Sequence, residues 1–225
     1  ENVYPNREFL EEKLMSGEKL TLYWGIDPTS AHVHIGHAIQ LMKLRHFVEL
    51  GHEVIVLVGD FTAMIGDPTD KSAARTQLTR QEVLDNAKHY KKQMSRIIDV
   101  KKVRWAFNSK WLAKMKFEDL IEVASEFTVQ QMLERDMFEK RMNEGKPIYL
   151  HEFFYPWMQG YDSVALDVDG EIGGNDQTFN MLAGRDLLKS MKSKEKFVLT
   201  TKLLTDPSGK KMGKSEGNMI TMDDD

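Results

Sequence analysis

Apolar residues along this chain fall into runs of two kinds. Val54 to Gly59 (VIVLVG) is almost continuously apolar, the pattern of a parallel strand covered on both faces. Leu20 to Ile26 (LTLYWGI) likewise reads as a buried strand. Between them, Gly36 to Leu50 (GHAIQLMKLRHFVEL) carries apolar residues at helical spacing, with Gly51 placed as its stop. A helix is expected over residues 6–16, and another from Thr79 to Ile98 that opens on a threonine cap. Val103 to Phe107 is the third strand. This alternation predicts an α/β fold with a Rossmann-like, doubly wound parallel sheet. Ligands of such sheets bind beyond the carboxyl ends of the strands. The loops after Ile26, Gly59 and Phe107 are therefore where a site is expected.

Residues 112–150 break the alternation. They read as several helices of mixed charge ending at Gly145-Lys146-Pro147, an insert between two halves of the sheet. Helices are then expected over Glu152 to Leu166 and Asn175 to Met191, with a short strand from Gly170 to Gly173 between them. Phe197 to Leu204 (FVLTTKLL) is the last strand and feeds a lysine-rich loop. The insert carries Phe127, Val129, Met132, Leu133, Met137 and Phe138 at helical spacing, more apolar surface than a small excursion needs. Either it packs on its own domain or it forms an interface between two copies, since a two-fold dimer is the commonest oligomer.

Composition narrows this picture only a little. A chain of 225 residues suits one large domain or one domain with an insert. The net charge of −4 provides no global basic field, so a nucleic-acid partner would have to use local patches. With no cysteine, disulfides and thiolate metal sites are excluded, and a cytoplasmic location is expected. No apolar run approaches the roughly 18 residues of a membrane span, so no membrane partner is expected. The chain opens on Glu1 rather than Met and stops at Asp223-Asp224-Asp225, just past the lysine-rich loop, so it reads as a trimmed portion of a longer chain.

Two short stretches far apart carry the chemistry. The first is His34-Ile35-Gly36-His37 and the second Lys211-Met212-Gly213-Lys214-Ser215. His34 and His37 face the same way at the start of a helix, beside free amide donors and the positive end of the helix dipole. Gly36 removes a side chain, so a ligand can approach the backbone. Lys211 and Lys214 lie in a glycine-punctuated loop expected to move. In this order the two stretches resemble the HIGH and KMSKS signatures of class I aminoacyl-tRNA synthetases. The first matches letter for letter; the second has Gly213 where the usual pattern has serine. The resemblance implies attack of an amino-acid carboxylate on the α-phosphate of ATP, with Mg²⁺ on the phosphates. The protein then supplies mainly position and positive charge.

A second constellation addresses the amino acid. Tyr155, Gln159 and Asp162 fall on one helix face, and such a stripe is not a core stripe, because Asp and Gln are rarely buried without partners. Tyr23 is placed at the end of the first strand and Asp67 in the loop after the second, while Gly173-Gly174-Asn175-Asp176-Gln177 turns into a helix at the sheet's ligand edge. Together with Tyr23-Trp24-Gly25-Ile26-Asp27-Pro28-Thr29, Ile65-Gly66-Asp67-Pro68, and Asn108 with Trp111, this set resembles the bacterial tyrosyl-tRNA synthetases over essentially the whole chain. Asn175 and Thr178 depart from the more familiar form of the turn.

The resemblance implies a role for each position. Tyr23 and Asp162 would bind the phenol hydroxyl of L-tyrosine. Asp67, Tyr155 and Gln159 would hold its α-ammonium, with Asn108 nearby, and Gln177 would face its carboxylate. Gly25, Asp27, Gly36, Gly174 and Asp176 would line the ATP site, Asp176 at the ribose. Thr29, His34, His37, Lys71, Arg75, Lys211, Lys214 and Ser215 would stabilise the phosphates. It further implies tRNA(Tyr) as acceptor, a homodimer formed through the insert, and two RNA-binding parts beyond the lysine loop. This chain ends before both, so it is expected to activate tyrosine and to transfer it poorly.

Other readings of the same residues fit less well. His32, His34 and His37 lack the spacing and the carboxylate of a zinc site, so no metal ligands are expected. The stretch from Gly209 to Ser215 has too few residues between its glycines for a Walker A loop. Lys71 and Arg75 read equally as surface charges, Asn108 as a helix cap, and Trp24 as core or nucleotide flank. Tryptophanyl relatives, HIGH-containing nucleotidyltransferases and an RNA-binding module without catalysis share parts of the pattern. The Tyr23/Asp162 pair argues against the first of these, because an indole has no hydroxyl.

Overall fold

The computed structural model describes residues 1–67, 77–213 and 217–223. The expected strands form as β2 (Thr21–Ile26), β3 (Glu53–Val58), β4 (Arg104–Phe107), β5 (Gly170–Gly174) and β6 (Phe197–Thr201), all parallel to one another. One strand was not anticipated. β1 (Asn2–Tyr4) pairs antiparallel with β6 and covers that edge, and three residues are too few to leave a periodic signal. Among the described residues the strand order is β1-β6-β5-β2-β3-β4, so the chain winds one way from β2 to β4 and the other way from β5 to β6. That reversal between β2 and β5 is where a crevice opens in a doubly wound sheet.

The register shows how it opens. β2 pairs with β3 along its whole length, from Thr21 with Glu53 to Ile26 with Val58. On its other side it pairs with β5 only through Leu22 with Gly170 and Tyr23 with Glu171. Beyond Tyr23 the two strands part. Tyr23 therefore lies mid-strand rather than at the strand end, and it is the last residue of β2 joined to β5.

Alternation along the strands divides the sheet faces. Leu22, Trp24, Ile26, Val54 and Val56 pack with helix α2 (Ile35–Glu49) in one core, and Trp24 reaches the cavity of the site as well. Tyr23, Ile55, Leu57 and Ala106 face the other side. There α10 (Phe154–Leu166) and α11 (Thr178–Lys192) cover the sheet with a core of their own that includes Trp157, Met158, Val164, Leu187 and Leu188. Gly160 and Gly184 let these two helices touch backbone to backbone, for a Cβ on Gly160 would lie 3.3 Å from the Gly184 Cα.

Several boundaries differ from the sequence reading. A first helix, α1 (Arg7–Met15), forms as expected, capped by the Asn6 side chain. A one-turn helix, α3 (Thr62–Ile65), follows β3. The single helix expected from Thr79 to Ile98 is two, α4 (Arg80–Ala87) and α5 (Tyr90–Met94), with Thr79 and Glu82 forming the capping box of the first. Across that turn Asn86 donates to the Pro28 carbonyl, Tyr90 to the Ser30 carbonyl and Gln93 to the Ala31 carbonyl, holding the loop that leads into α2. β6 stops at Thr201 rather than Leu204, because the chain then turns so that Met212 N–H donates to the Leu204 carbonyl.

After a short α6 (Ser109–Leu112), the insert forms α7 (Phe117–Ser125), α8 (Val129–Leu133) and α9 (Asp136–Asn143). Met132 and Phe138 are buried within the chain and Phe127 packs on the α10–α11 core, so part of its apolar surface serves its own domain. Phe117, Ile121, Val129, Met142, Tyr149 and Leu150 remain exposed. Among the described residues no helix is long and apolar enough to cross a membrane.

Gly170 begins β5 because nothing larger fits: a Cβ there would lie 2.1 Å from the buried Phe197 ring. Gly170→Ala should lower unfolding free energy by about 1–3 kcal/mol, the usual cost of overpacking a core. Urea denaturation checks this, and an unchanged midpoint would mean that Phe197 moves aside freely.

Candidate active site

Helix α2 starts at the mouth of the crevice, and its first turn is capped by histidines. His34 is the N-cap: its Nδ1 accepts from Gly36 N–H at 3.1 Å, while His34 N–H donates to His37 Nδ1 at 3.2 Å. The rings stack with centroids 3.8 Å apart. Because both Nδ1 atoms accept, the proton of each neutral ring is assigned to Nε2, leaving both as donors. Burial, with help from Lys211, lowers the pKa of His34. Burial, His34 and Lys211 push His37 well below its ordinary value. Two neutral imidazole donors thus stand at a helix N-terminus. Gly36 has a local reason to be glycine as well: a Cβ would lie 2.8 Å from the His34 ring and 3.2 Å from the Met212 carbonyl oxygen.

The lysine loop is closed on itself where Thr205 bridges Lys211, and beyond it the chain is tied to this helix: Thr221 bridges His34, and Ile35 N–H donates to the Ile220 carbonyl. Within the loop Asp206 accepts from Ser208, from Lys210 N–H and from Asn218, contacts that pull its pKa down to about 2. These contacts order the described part of the loop in this conformation. Lys211 Nζ sits 2.5 Å from Asp176 Oδ2, in the short turn after β5. Lys214 and Ser215, like Lys71 and Arg75, lie outside the described residues.

The stripe on α10 faces the crevice as expected, and each member has a partner. Tyr155 donates to Asp27 Oδ2 at 2.8 Å, and Thr62 donates to Asp27 Oδ1 at 2.7 Å. Gln159 Nε2 reaches Glu171 at 3.4 Å, while its Oε1 accepts from Asn180. Asp162, only 3 % exposed, accepts from Trp111 Nε1 at 2.8 Å and from Asn108 Nδ2 at 3.3 Å. Burial drives the Asp162 pKa well up; those two neutral donors oppose the rise, and Asp27 and Glu171 add to it. Asp67 accepts from Gln177 at 2.7 Å and lies 3.5 Å from the Arg135 guanidinium.

Asn108 stands at the start of α6 yet does not cap it. Asp60 takes that role, accepting Ser109 N–H at 2.9 Å and Ser109 Oγ–H at 2.6 Å. Asn108 is thereby free to accept from Phe61 N–H and to donate to Thr62 and Asp162.

One cavity is lined by every described residue assigned from sequence: Tyr23, Gly25, Asp27, Thr29, His34, Gly36, His37, Asp67, Asn108, Tyr155, Gln159, Asp162, Gly174, Asp176, Gln177 and Lys211. Sequence reasoning missed Gly59, Thr62 and Glu171, which line it too. The signal for Gly59 lies in Asp27, since a Cβ at Gly59 would fall 1.9 Å from Asp27 Oδ1. The half-buried Asp27 carboxylate requires a donor and a gap beside the end of β3, and Thr62 with Gly59 provides both.

Both histidines have folded pKa values below the ordinary 6.5, so the unfolded chain takes up protons first as pH falls. The stability conferred by the neutral rings is present above about pH 6.5 and is lost as pH drops toward the folded values. His37→Gln keeps a side chain suited to the third helical position and removes one titration. Denaturation followed from about pH 7 to about pH 5 should show a shallower loss of stability in the variant. Parallel slopes would place the titration elsewhere.

Known proteins resemble this chain over nearly its whole length. The family model described as tRNA synthetases class I (W and Y) matches residues 15–225. A tyrosine–tRNA ligase of Carboxydothermus hydrogenoformans is 50% identical over 222 residues, 97% of this chain and 54% of that protein. One from Haemophilus influenzae is 51% identical over 212 residues, 94% and 53%. The chain thus spans about half the length of the curated relatives it matches. A C-terminally truncated mitochondrial tyrosyl-tRNA synthetase of Coccidioides posadasii superposes with a TM-score of 0.77 at 28% identity, covering 93% of this chain and 66% of that one. The fold also matches an Archaeoglobus fulgidus tyrosyl-tRNA synthetase complexed with L-tyrosine, with a TM-score of 0.75 at 24% identity, covering 97% and 66%. A doubly wound sheet, paired histidines at the first turn of α2, a lysine loop tied back onto them and a match to all but the first residues have one common explanation: the chain belongs to the class I tRNA synthetases of the W and Y family.

Proposed function

We propose that this chain is the catalytic portion of a tyrosine–tRNA ligase. It joins L-tyrosine and ATP into tyrosyl-adenylate and pyrophosphate, and the whole protein then passes tyrosine to the 3′ end of tRNA(Tyr). The observation that carries the reading is Asp162, a buried carboxylate at the floor of the crevice whose hydrogen-bond partners, Trp111 and Asn108, are neutral. Such a group favours a ligand that donates a hydrogen bond to it, and Tyr23 stands close enough to feel its charge. A pocket made to bond a hydroxyl rejects the analogue without one by about 10⁴–10⁵, because its own polar groups are then left unpaired. The same argument disfavours an indole, although the family includes tryptophan enzymes.

In this reading tyrosine lies with its phenol at Tyr23 and Asp162. Its ammonium lies at Asp67, Tyr155 and Gln159, with Asn108 bracing the floor and Gln177 beside the carboxylate. Nucleotide occupies the part of the cavity lined by Gly25, Asp27, Gly36, Gly174 and Asp176. Its ribose competes with Lys211 for Asp176, which frees the lysine for the phosphates. The substrate carboxylate attacks the α-phosphate directly, and no side chain forms a covalent bond. The Nε2–H groups of His34 and His37, with Thr29 and Lys211, face the charge that builds on the phosphates, where preorganised donors act most strongly. Lys71, Arg75, Lys214 and Ser215 join this set by sequence. Among the described residues no group of three acidic or histidine side chains could hold a metal, so Mg²⁺ would come with the nucleotide and would offset the charge on its phosphates. The exposed apolar side chains of the insert, Phe117, Ile121 and Val129 among them, form the contact of a homodimer. The location is cytoplasmic.

Exchange of labelled pyrophosphate into ATP, run with tyrosine, phenylalanine and tryptophan, tests the activity and the pocket together. Exchange should depend on tyrosine, and Asp162→Ala should cut its preference over phenylalanine by at least about 100-fold of the 10⁴–10⁵ available. Dependence on tryptophan instead, or undiminished selectivity in the variant, contradicts the assignment. Light scattering at micromolar concentration should return the mass of two chains; the mass of one would remove the dimer from the proposal.

A further inference from the structure

Behind the floor of the crevice lies a buried polar cluster that the reaction above does not use. Lys196 immediately precedes β6, and its side chain is wholly buried. Its Nζ donates to Ser163 Oγ at 2.6 Å and to Glu171 Oε2. Ser163 Oγ lies 3.0 Å from the Tyr23 hydroxyl. Helix α11 closes on this cluster at Gly184, where a Cβ would lie 2.9 Å from Ser163 Oγ and 3.0 Å from Lys196 Nζ. Burial lowers the Lys196 pKa, and Glu171 pulls it back up.

Buried ion pairs contribute little net stability, because desolvation offsets their attraction. A stabilising role is therefore a weak reason for this one. What it provides that an apolar pair cannot is a direction for hydrogen bonds. An ammonium only donates. Ser163 must spend a lone pair on Lys196, which leaves its single proton for its other hydrogen-bond partner among the described residues, Tyr23. The Tyr23 oxygen then accepts, and its own proton is left for Glu171 or for a ligand in the crevice. Burial raises the Tyr23 pKa most, and Glu171, which hydrogen-bonds Tyr23 and competes for that proton, adds to the rise. Lys196 on Oε2 and Gln159 on Oε1 weaken that competition.

We propose that Lys196 and Ser163 are positioning residues that fix the direction of the Tyr23 proton, so that the crevice reads the substrate's para group as an acceptor at Tyr23 and a donor at Asp162. The inference rests on the tyrosine reading above. A phenol oxygen satisfies both demands. The amino group of 4-aminophenylalanine donates well but accepts poorly, since its lone pair is drawn into the ring, so it meets only one.

The test is calorimetric binding of tyrosine and of 4-aminophenylalanine to the full chain, with ATP binding as a control for site integrity. In Ser163→Ala, Tyr23 can turn its proton away and accept from the amine. The preference for tyrosine over the amine should then fall about tenfold, the factor that one hydrogen bond of about 1.4 kcal/mol carries, with ATP affinity unchanged. The double variant Lys196→Met with Glu171→Gln removes both buried charges together and should shift the preference in the same direction. Equal weakening of both amino acids in either variant, or a preference left in place, overturns the inference while the tyrosine reading stands. Failure of the unaltered chain to bind tyrosine overturns both.

Discussion

Everything at the site depends on two strands of one sheet ceasing to pair. β2 and β5 are joined through Tyr23 and Glu171 and no further, while β2 continues against β3 to Ile26. A backbone pair that stops inside a sheet exposes strand ends to whatever lies above, and here that is a crevice rather than another strand. Tyr23 is placed at the fork. Its position on the far side from Trp24 follows from the two-residue period of a strand, which sends one into the crevice and the other into the α2 core. Helices α10 and α11 then form the second wall, and their close approach at Gly160 and Gly184 sets how deep the floor can be.

The floor is polar, and the structure handles that in two ways. Asp162 is held by two neutral donors, Trp111 and Asn108. Glu171, one layer deeper, is compensated by Lys196. Burial first, and the neighbouring Asp27 and Glu171 after it, disfavour the ionised form of Asp162. Asp60 plays a similar supporting part by capping α6, which releases Asn108 for the floor.

Much of this was legible in the residues. The parallel strands, α2 with its glycine stop, the Thr79 cap and the α10 stripe all follow from periodicity and cap chemistry, which act locally. The described residues assigned to the site do line one cavity. What could not be read was whatever depends on register or on a partner far along the chain. β1 is too short to show a period. Tyr23 was placed at a strand end because pairing on one side only leaves no mark in sequence. Asn108 beside a helix start looks like a cap, and only the presence of Asp60 forty-eight residues earlier shows otherwise. Lys196 and Glu171 drew no assignment from sequence, since nothing local signals that Gly184 will bring a helix down on them.

The attachment of the lysine loop has a further consequence. Thr205 meets Lys211 across the loop, and Thr221 meets the N-cap His34 after it. The anchor that follows the loop is thus part of the same helix end that carries the histidines. For a segment held this way, the entropy of bringing it to the crevice is spent once, during folding, and not again at each encounter with a nucleotide. Lys211 behaves as if present at high effective concentration over the site, independent of how much protein is in solution. Removing the segment after the loop would therefore leave Lys211 in the sequence and still dilute it.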